Sequence, residues 1–201
     1  MGFKLLILNP TDSLVDRRTL DRWPDKLKKA IPDIEVTICH SDGEAMEAIE
    51  DADAAFGNIA PELFERANSL KWISCPQAGP KAGYYHQALI DSDVVVTNMR
   101  EVFNDHISAH IMSFVLAFAR GLHLYIPYQL QRQWRPGYEP IHLPVSTAII
   151  VGIGGIGGET ARLCSEFGIT VIGVDPRRVE APPGVDELHK PEALDDLLPR
   201  G

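Results

Sequence analysis

Gly152-Ile153-Gly154-Gly155-Ile156-Gly157 follows directly on the apolar run Thr147-Ala148-Ile149-Ile150-Val151 and leads, through Gly158, into Glu159-Thr160-Ala161-Arg162-Leu163-Cys164. A GxGxxG pattern alone is weak, because chance matches are common. Its surroundings strengthen it. The run before it predicts a strand over 147–151, the stretch after it a helix over 155–167, and Thr170-Val171-Ile172-Gly173-Val174 a second strand ending in Asp175, close to the spacing of about 20 residues that a dinucleotide site requires. Gly152 permits the tight turn out of the strand, Gly154 lets a pyrophosphate approach the backbone, and Gly157 lets the helix pack against the sheet. The amides of Gly155 and Ile156 fall at the helix N-terminus, where the dipole favours phosphate oxygens. Asp175 is placed to accept from both ribose hydroxyls, which favours NAD. Arg177 and Arg178 beside it are able to neutralise a 2′-phosphate, which leaves NADP open.

Working outward, strand-like runs alternate with helical stretches from the N-terminus. Strands are expected at 3–8, 35–39, 53–56, 71–75 and 94–97, and helices at 14–30, 43–50, 61–67 and 84–89. This alternation predicts parallel βαβ units. A longer helical pattern covers 102–122, with Ile107, Ile111, Phe114, Val115 and Phe118 forming its apolar face. Residues 125–144 read as a short helix and a surface excursion, 182–184 as a loop and 191–198 as a last short helix. The fold class is α/β, with a break near residues 98–101 separating a domain at 1–98 from one at 99–201.

Composition narrows the function classes. With 201 residues, 45% of them hydrophobic, the chain can bury a core, and its net charge of −9 argues against nucleic acid or an anionic membrane as partner. The apolar stretches are too short to span a bilayer. Cys39, Cys75 and Cys164 are three isolated cysteines without a CxxC pair, which reads as free thiols in a reducing cytoplasm and not as a disulfide or zinc framework. His106 and His110 share a helix face, but neither a third ligand nor the intervening Glu of a zinc-protease helix accompanies them, so no metal is expected. Cys75 has no assignable base and is not read as a nucleophile.

Four stretches carry a wider resemblance: Leu70-Lys71-Trp72-Ile73-Ser74-Cys75-Pro76-Gln77-Ala78-Gly79, Val95-Val96-Thr97-Asn98, the helix over 103–120, and Val174-Asp175-Pro176. With the glycine motif they span nearly the whole chain, which resembles the D-isomer-specific 2-hydroxyacid dehydrogenases. The resemblance implies a flavodoxin-like substrate domain at 1–98 and a Rossmann NAD(P)-binding domain at 99–201, with a cleft between them and hydride transfer between the nicotinamide and a small 2-hydroxy or 2-oxo acid. It implies that backbone amides of Ala78 and Gly79 bind the substrate carboxylate, with Gly57 and Asn58 lining the same cleft. It also implies a homodimer through 102–122 and 125–144. The family's catalytic Arg, Glu and His fall beyond Gly201, so the catalytic residues are unassigned and the chain reads as a fragment whose cofactor domain is incomplete at its C-terminus. Glu101 stands where the family usually has Gly, and a Glu is common where His110 stands. An NAD(H)-responsive binding protein or corepressor on the same fold is the alternative.

Overall fold

In the computed structural model, residues 2–8 and 17–201 are described. They divide into two units, Met1–Arg100 and Glu101–Gly201.

The first unit is a parallel sheet with helices between its strands: β1 (Phe3–Leu8), α1 (Arg17–Leu20), α2 (Trp23–Ala30), β2 (Ile34–Cys39), α3 (Asp42–Ala48), β3 (Ala54–Phe56), α4 (Pro61–Phe64), β4 (Trp72–Cys75), α5 (Gln87–Ile90) and β5 (Val95–Asn98). The strand order is β2-β1-β3-β4-β5, so β1 lies inside the sheet and the chain reverses direction of growth after β2. Leu6, Ile49, Ala55 and Ile73 are almost fully buried in its core, and each large side chain removed from water contributes about 1.5–3 kcal/mol. The single helix expected over 14–30 is interrupted. Its residues 14–16 lie outside the described part, and α2 restarts at Trp23 because Pro24, lacking an N–H, suits a first helical turn. Ser41 caps α3 by accepting from the Glu44 N–H, while the Glu44 carboxylate accepts from the His40 N–H. This reciprocal arrangement satisfies donors that the helix end leaves open.

The second unit contains α6 (Asn104–Ala119), α7 (Leu122–Leu130), β6 (Thr147–Val151), α8 (Gly155–Glu166), β7 (Thr170–Val174), β8 (Glu187–His189) and α9 (Leu194–Leu197). Its parallel sheet runs β6-β7-β8. The strand β8 was not expected. Asp186 secures it by accepting from the Val171 N–H through its carboxylate while its own N–H donates to the Val171 carbonyl. Alternation along β7 sends Val171 into a cluster with Met112 and Cys164, and Ile172 and Val174 into another with Leu197, so both faces of the sheet are covered.

The long helix expected over 102–122 breaks at Arg120–Gly121. Gly121 adopts a left-handed φ of 70°, and a Cβ there would lie 2.5 Å from the Tyr138 ring. The face that α6 packs within the second unit differs from the apolar face read from its bulky residues. Ser108, Met112 and Ala119 are buried, whereas Ile107, Phe114 and Phe118 stand exposed. Small side chains at 108 and 119 allow close approach, and periodicity of bulky residues does not report this. Among the described residues no single helix is long and apolar enough to cross a membrane.

Candidate cofactor site

The glycine turn is built by steric necessity at some positions and left open at others. Gly152 leaves β6 with φ 95°, a conformation that favours glycine. A Cβ on Gly157 would collide with the Gly152 carbonyl oxygen, and one on Gly173 would lie 2.8 Å from the Ile153 side chain. By contrast, a Cβ on Gly154 or Gly158 would meet nothing within 4 Å. The first turn of α8 closes with Gly158 N–H donating to the Gly154 carbonyl at 2.8 Å. The amides of Gly155, Ile156 and Gly157 therefore precede the helical ladder and are available at the positive end of the helix dipole. A cleft of about 610 Å³ opens here, lined by Gly154, Gly155 and Gly158 together with Asn104, Arg162 and Arg178. The open backbone at Gly154 and the orphan amides fit a pyrophosphate.

Buried polar groups hold the turn from below. Ser108 Oγ donates to the Ile156 carbonyl at 3.2 Å, and Thr160 Oγ1 donates to Ser108 Oγ at 3.1 Å. Asp175 is also buried, and its carboxylate accepts from three backbone N–H groups: Ile153 at 2.9 Å, Arg177 at 2.8 Å and Arg178 at 2.9 Å. These bonds, the Arg178 and Arg177 amides foremost, hold its pKa below the ordinary carboxylate value. Asp175 thus ties the end of β7 to the glycine turn, a role that the motif spacing did not show. The structure also separates the two arginines. Both are exposed, but Arg178 lines the cleft and its Nε donates to the Ile153 carbonyl, whereas Arg177 is outside the cleft lining.

In the first unit, Asn58 and the Ala78–Gly79 loop follow β3 and β4, which are adjacent in the sheet with Phe56 opposite Ser74. They share its carboxyl edge, where ligands of open α/β sheets bind. Gly57 turns out of β3 with φ 136°, and a Cβ there would lie 2.8 Å from Leu8 Cβ. Ala78, Gly79 and Asn58 are all exposed. Asn98, at the end of β5, donates its side-chain amide to the Ala78 carbonyl at 2.7 Å. That leaves the loop amides free of this bond and fixes the loop's course. Asn98 was singled out only as part of the stretch leading to the second domain, and its link to Ala78 is visible only once β4 and β5 are paired.

Cys75 is buried and its thiol donates to Gln77 Oε1 at 3.1 Å. His106 and His110 are exposed, and His110 stacks edge-on against Phe114. Among the described residues no group of three His, Cys, Asp or Glu side chains is placed to hold a metal. Glu101, which stands where the resembled family usually has Gly, adopts a left-handed φ of 67°.

A strand, a glycine turn and a helix over an open cleft, followed by a parallel neighbour strand, define a Rossmann-type dinucleotide-binding unit. Residues 112–200 match the family described as D-isomer specific 2-hydroxyacid dehydrogenase, NAD binding domain. The chain is 25% identical over 177 residues to D-3-phosphoglycerate dehydrogenase of Methanocaldococcus jannaschii, covering 86% of this chain and 33% of that one. Among solved structures, a D-isomer-specific 2-hydroxyacid dehydrogenase family protein from Aeromonas salmonicida aligns with TM-score 0.81 and 26% identity, over 100% of this chain and 62% of that one. The fold is also that of an NADPH-dependent glyoxylate/hydroxypyruvate reductase from Sinorhizobium meliloti, with TM-score 0.74 and 24% identity over 98% of this chain and 60% of that one. The chain is thus similar to the D-isomer-specific 2-hydroxyacid dehydrogenases, over residues 112–200 by the family's NAD-binding domain and along its length by fold. The chain spans about three-fifths of the solved relatives it matches and a third of the curated one.

Proposed function

We propose that this chain supplies the cofactor site and part of the substrate site of an oxidoreductase that moves a hydride between a nicotinamide dinucleotide and C2 of a small 2-hydroxy or 2-oxo acid. The observation that carries this reading is the open cleft over Gly154, Gly155 and Gly158 at the N-terminus of α8, within the span that matches the family's NAD-binding domain. The dinucleotide, when bound, supplies the hydride. The chain's own part is to bind and orient. The amides of Gly155, Ile156 and Gly157 take the pyrophosphate, and the Asp175 carboxylate holds the turn in shape. Asp175 retains acceptor capacity for a ribose hydroxyl, and its negative charge disfavours a 2′-phosphate, so NAD is the cofactor we favour. Arg178 at the cleft supports NADP as the second choice. Ala78 and Gly79 offer exposed loop amides to a substrate carboxylate, with Asn58 on the same sheet edge.

The exposed Phe114 and Phe118 of α6, with Leu130 and Trp134 at 81% and 91% exposure, support a homodimer through this surface. The solved relatives extend well beyond the matched span, so we further propose that this chain binds the cofactor but does not turn over by itself. Titration with NADH and NADPH, followed by assays with glyoxylate, hydroxypyruvate and longer 2-oxo acids beside a full-length relative, tests the reading. Absence of dinucleotide binding overturns it, and turnover comparable to the relative overturns the last part alone.

A further inference from the structure

Gly155 is the first residue of α8, and in a GxGxxG turn this position is free to carry any side chain. Here the space for one is taken. A Cβ built on Gly155 would lie 2.5 Å from Asn104 Nδ2, 2.8 Å from its Oδ1 and 2.9 Å from its Cγ. Asn104 is the first residue of α6, and its half-buried side chain lines the same cleft as Gly154, Gly155 and Gly158. A side-chain amide from a different helix thus occupies the place of the missing residue-155 side chain, beside the unladdered amides of α8.

We propose that Asn104 is a cofactor-binding residue, donating its amide to the dinucleotide pyrophosphate in place of a side chain at position 155; this rests on the dinucleotide reading above. The charge balance of the cleft favours an uncharged donor here. Glu101, Asp105 and Glu159 line it, against Arg162 and Arg178. Arg162 is engaged by Glu159 at 2.7 Å, and Arg178 by the Ile153 carbonyl. An amide at 104 adds a donor to the phosphate site, while a carboxylate there would add a fourth acid. Ser108, one turn further along α6, donates to the Ile156 carbonyl and keeps this end of α6 against the turn.

The test titrates NADH fluorescence with the 201-residue chain and its Asn104→Ala and Asn104→Asp variants, with thermal melts alongside. Loss of one donor to an anion weakens binding by about tenfold in Asn104→Ala, and the isosteric Asn104→Asp weakens it by about tenfold more through repulsion, both with unchanged melting. Gly155→Ser should weaken binding in the wild-type background and restore part of it in Asn104→Ala, where its place is vacant. Affinities within twofold of wild type for both variants overturn the proposal. So does an equal loss in both accompanied by lower melting, which would make Asn104 a packing residue only. If the wild-type chain itself binds neither NADH nor NADPH, the dinucleotide reading fails and this proposal with it; if wild type binds and only the variants fail to differ, the dinucleotide reading stands.

Discussion

The two sheets begin alike and differ in what surrounds their first strand. In the first unit β1 has neighbours on both sides, β2 and β3, over registers that run the length of the strand on one side. In the second, β6 pairs with β7 alone among the described residues, and Val151 at its end is 65% exposed. The strand that presents the glycine turn is therefore held by one ladder, while the strand at the centre of the other unit is held by two. Side chains also hold the cofactor turn: the Asp175 carboxylate bonded to the Ile153 amide, and the Ser108–Thr160 pair beneath α8. In the first unit one side-chain bond, from Asn98 to the Ala78 carbonyl, fixes the loop after β4, and in the second several converge on the glycine turn.

Substitutions at the two sheets put this contrast under test. The largest effect is expected at Gly157. Gly157→Val drives a side chain into the Gly152 carbonyl and should leave the second unit unfolded while the first retains its far-UV circular dichroism. A fully folded variant that still binds NADH would break the steric account of the turn. Next come the cavities: Ile73 and Ile172 are both completely buried, and each change to Ala should cost about 2–5 kcal/mol in urea unfolding. Because its sheet has three strands against five in the first unit, Ile172→Ala should also abolish slow amide exchange throughout β6–β8, whereas Ile73→Ala leaves β1 protected. Similar exchange in both sheets would remove the difference drawn here.

At Gly154 the effect should separate binding from folding. Gly154→Val places a side chain in open space, so melting stays within about 1 kcal/mol of wild type, and NADH affinity falls by at least about tenfold because the backbone is no longer approachable. Loss of stability without loss of affinity would reverse the assignment of this glycine.

Acid should distinguish the units more gently. Glu187, hydrogen-bonded first by Arg200 and then by His189, has its pKa lowered from 4.5 to about 2; Asp175 in the same unit and Asp53 in the first, held by Lys71 and the Lys4 amide, are also lowered. A carboxylate whose folded pKa lies below its unfolded value favours folding above the ordinary range. For Glu187 that contribution disappears as pH falls from 4.5 toward about 2. Glu187→Gln should flatten the acid limb of the second unit's unfolding curve over this window, and an unaltered limb would show that the Arg200 pair contributes nothing. The smallest change is at Glu101, whose φ of 67° is left-handed. Glu101→Gly should gain up to about 1 kcal/mol by relieving that conformation, and a loss in the melt would mean that the Glu side chain contributes more than its backbone costs.

Much of the scaffold was legible in the residues because its signals are local. The β6 and β7 runs are apolar and β-branched, and the glycine turn marks the start of α8 within a single window. The strand β8 was not legible: three residues, Glu-Leu-His, carry no periodicity, and pairing with β7 makes them a strand. The face that α6 packs against its own unit was not legible because bulky residues dominate a periodic pattern, while the small Ser108 and Ala119 are buried there with Met112. Spacing does not tell the adjacent Arg177 and Arg178 apart, since both amides bond to Asp175; the side chain of Arg178, bonded to the Ile153 carbonyl, is the one that lines the cleft. Asn104 lies far from Gly155 in sequence, and only the approach of α6 to α8 brings them together.

The glycines of the turn, and Gly173 in β7 against it, answer to two different selections. Gly157 and Gly173 are demanded by neighbouring atoms of the chain itself, while Gly154 and Gly158 face empty space. A library diversified at all four and screened only for soluble expression should therefore keep the first pair and let the second drift. The same library panned on an immobilised dinucleotide should recover Gly154 as well. Descendants that lose the cofactor would then keep Gly152 and Gly157 of the motif and shed Gly154, so a degenerate pattern in a relative records a discarded ligand and not a discarded fold.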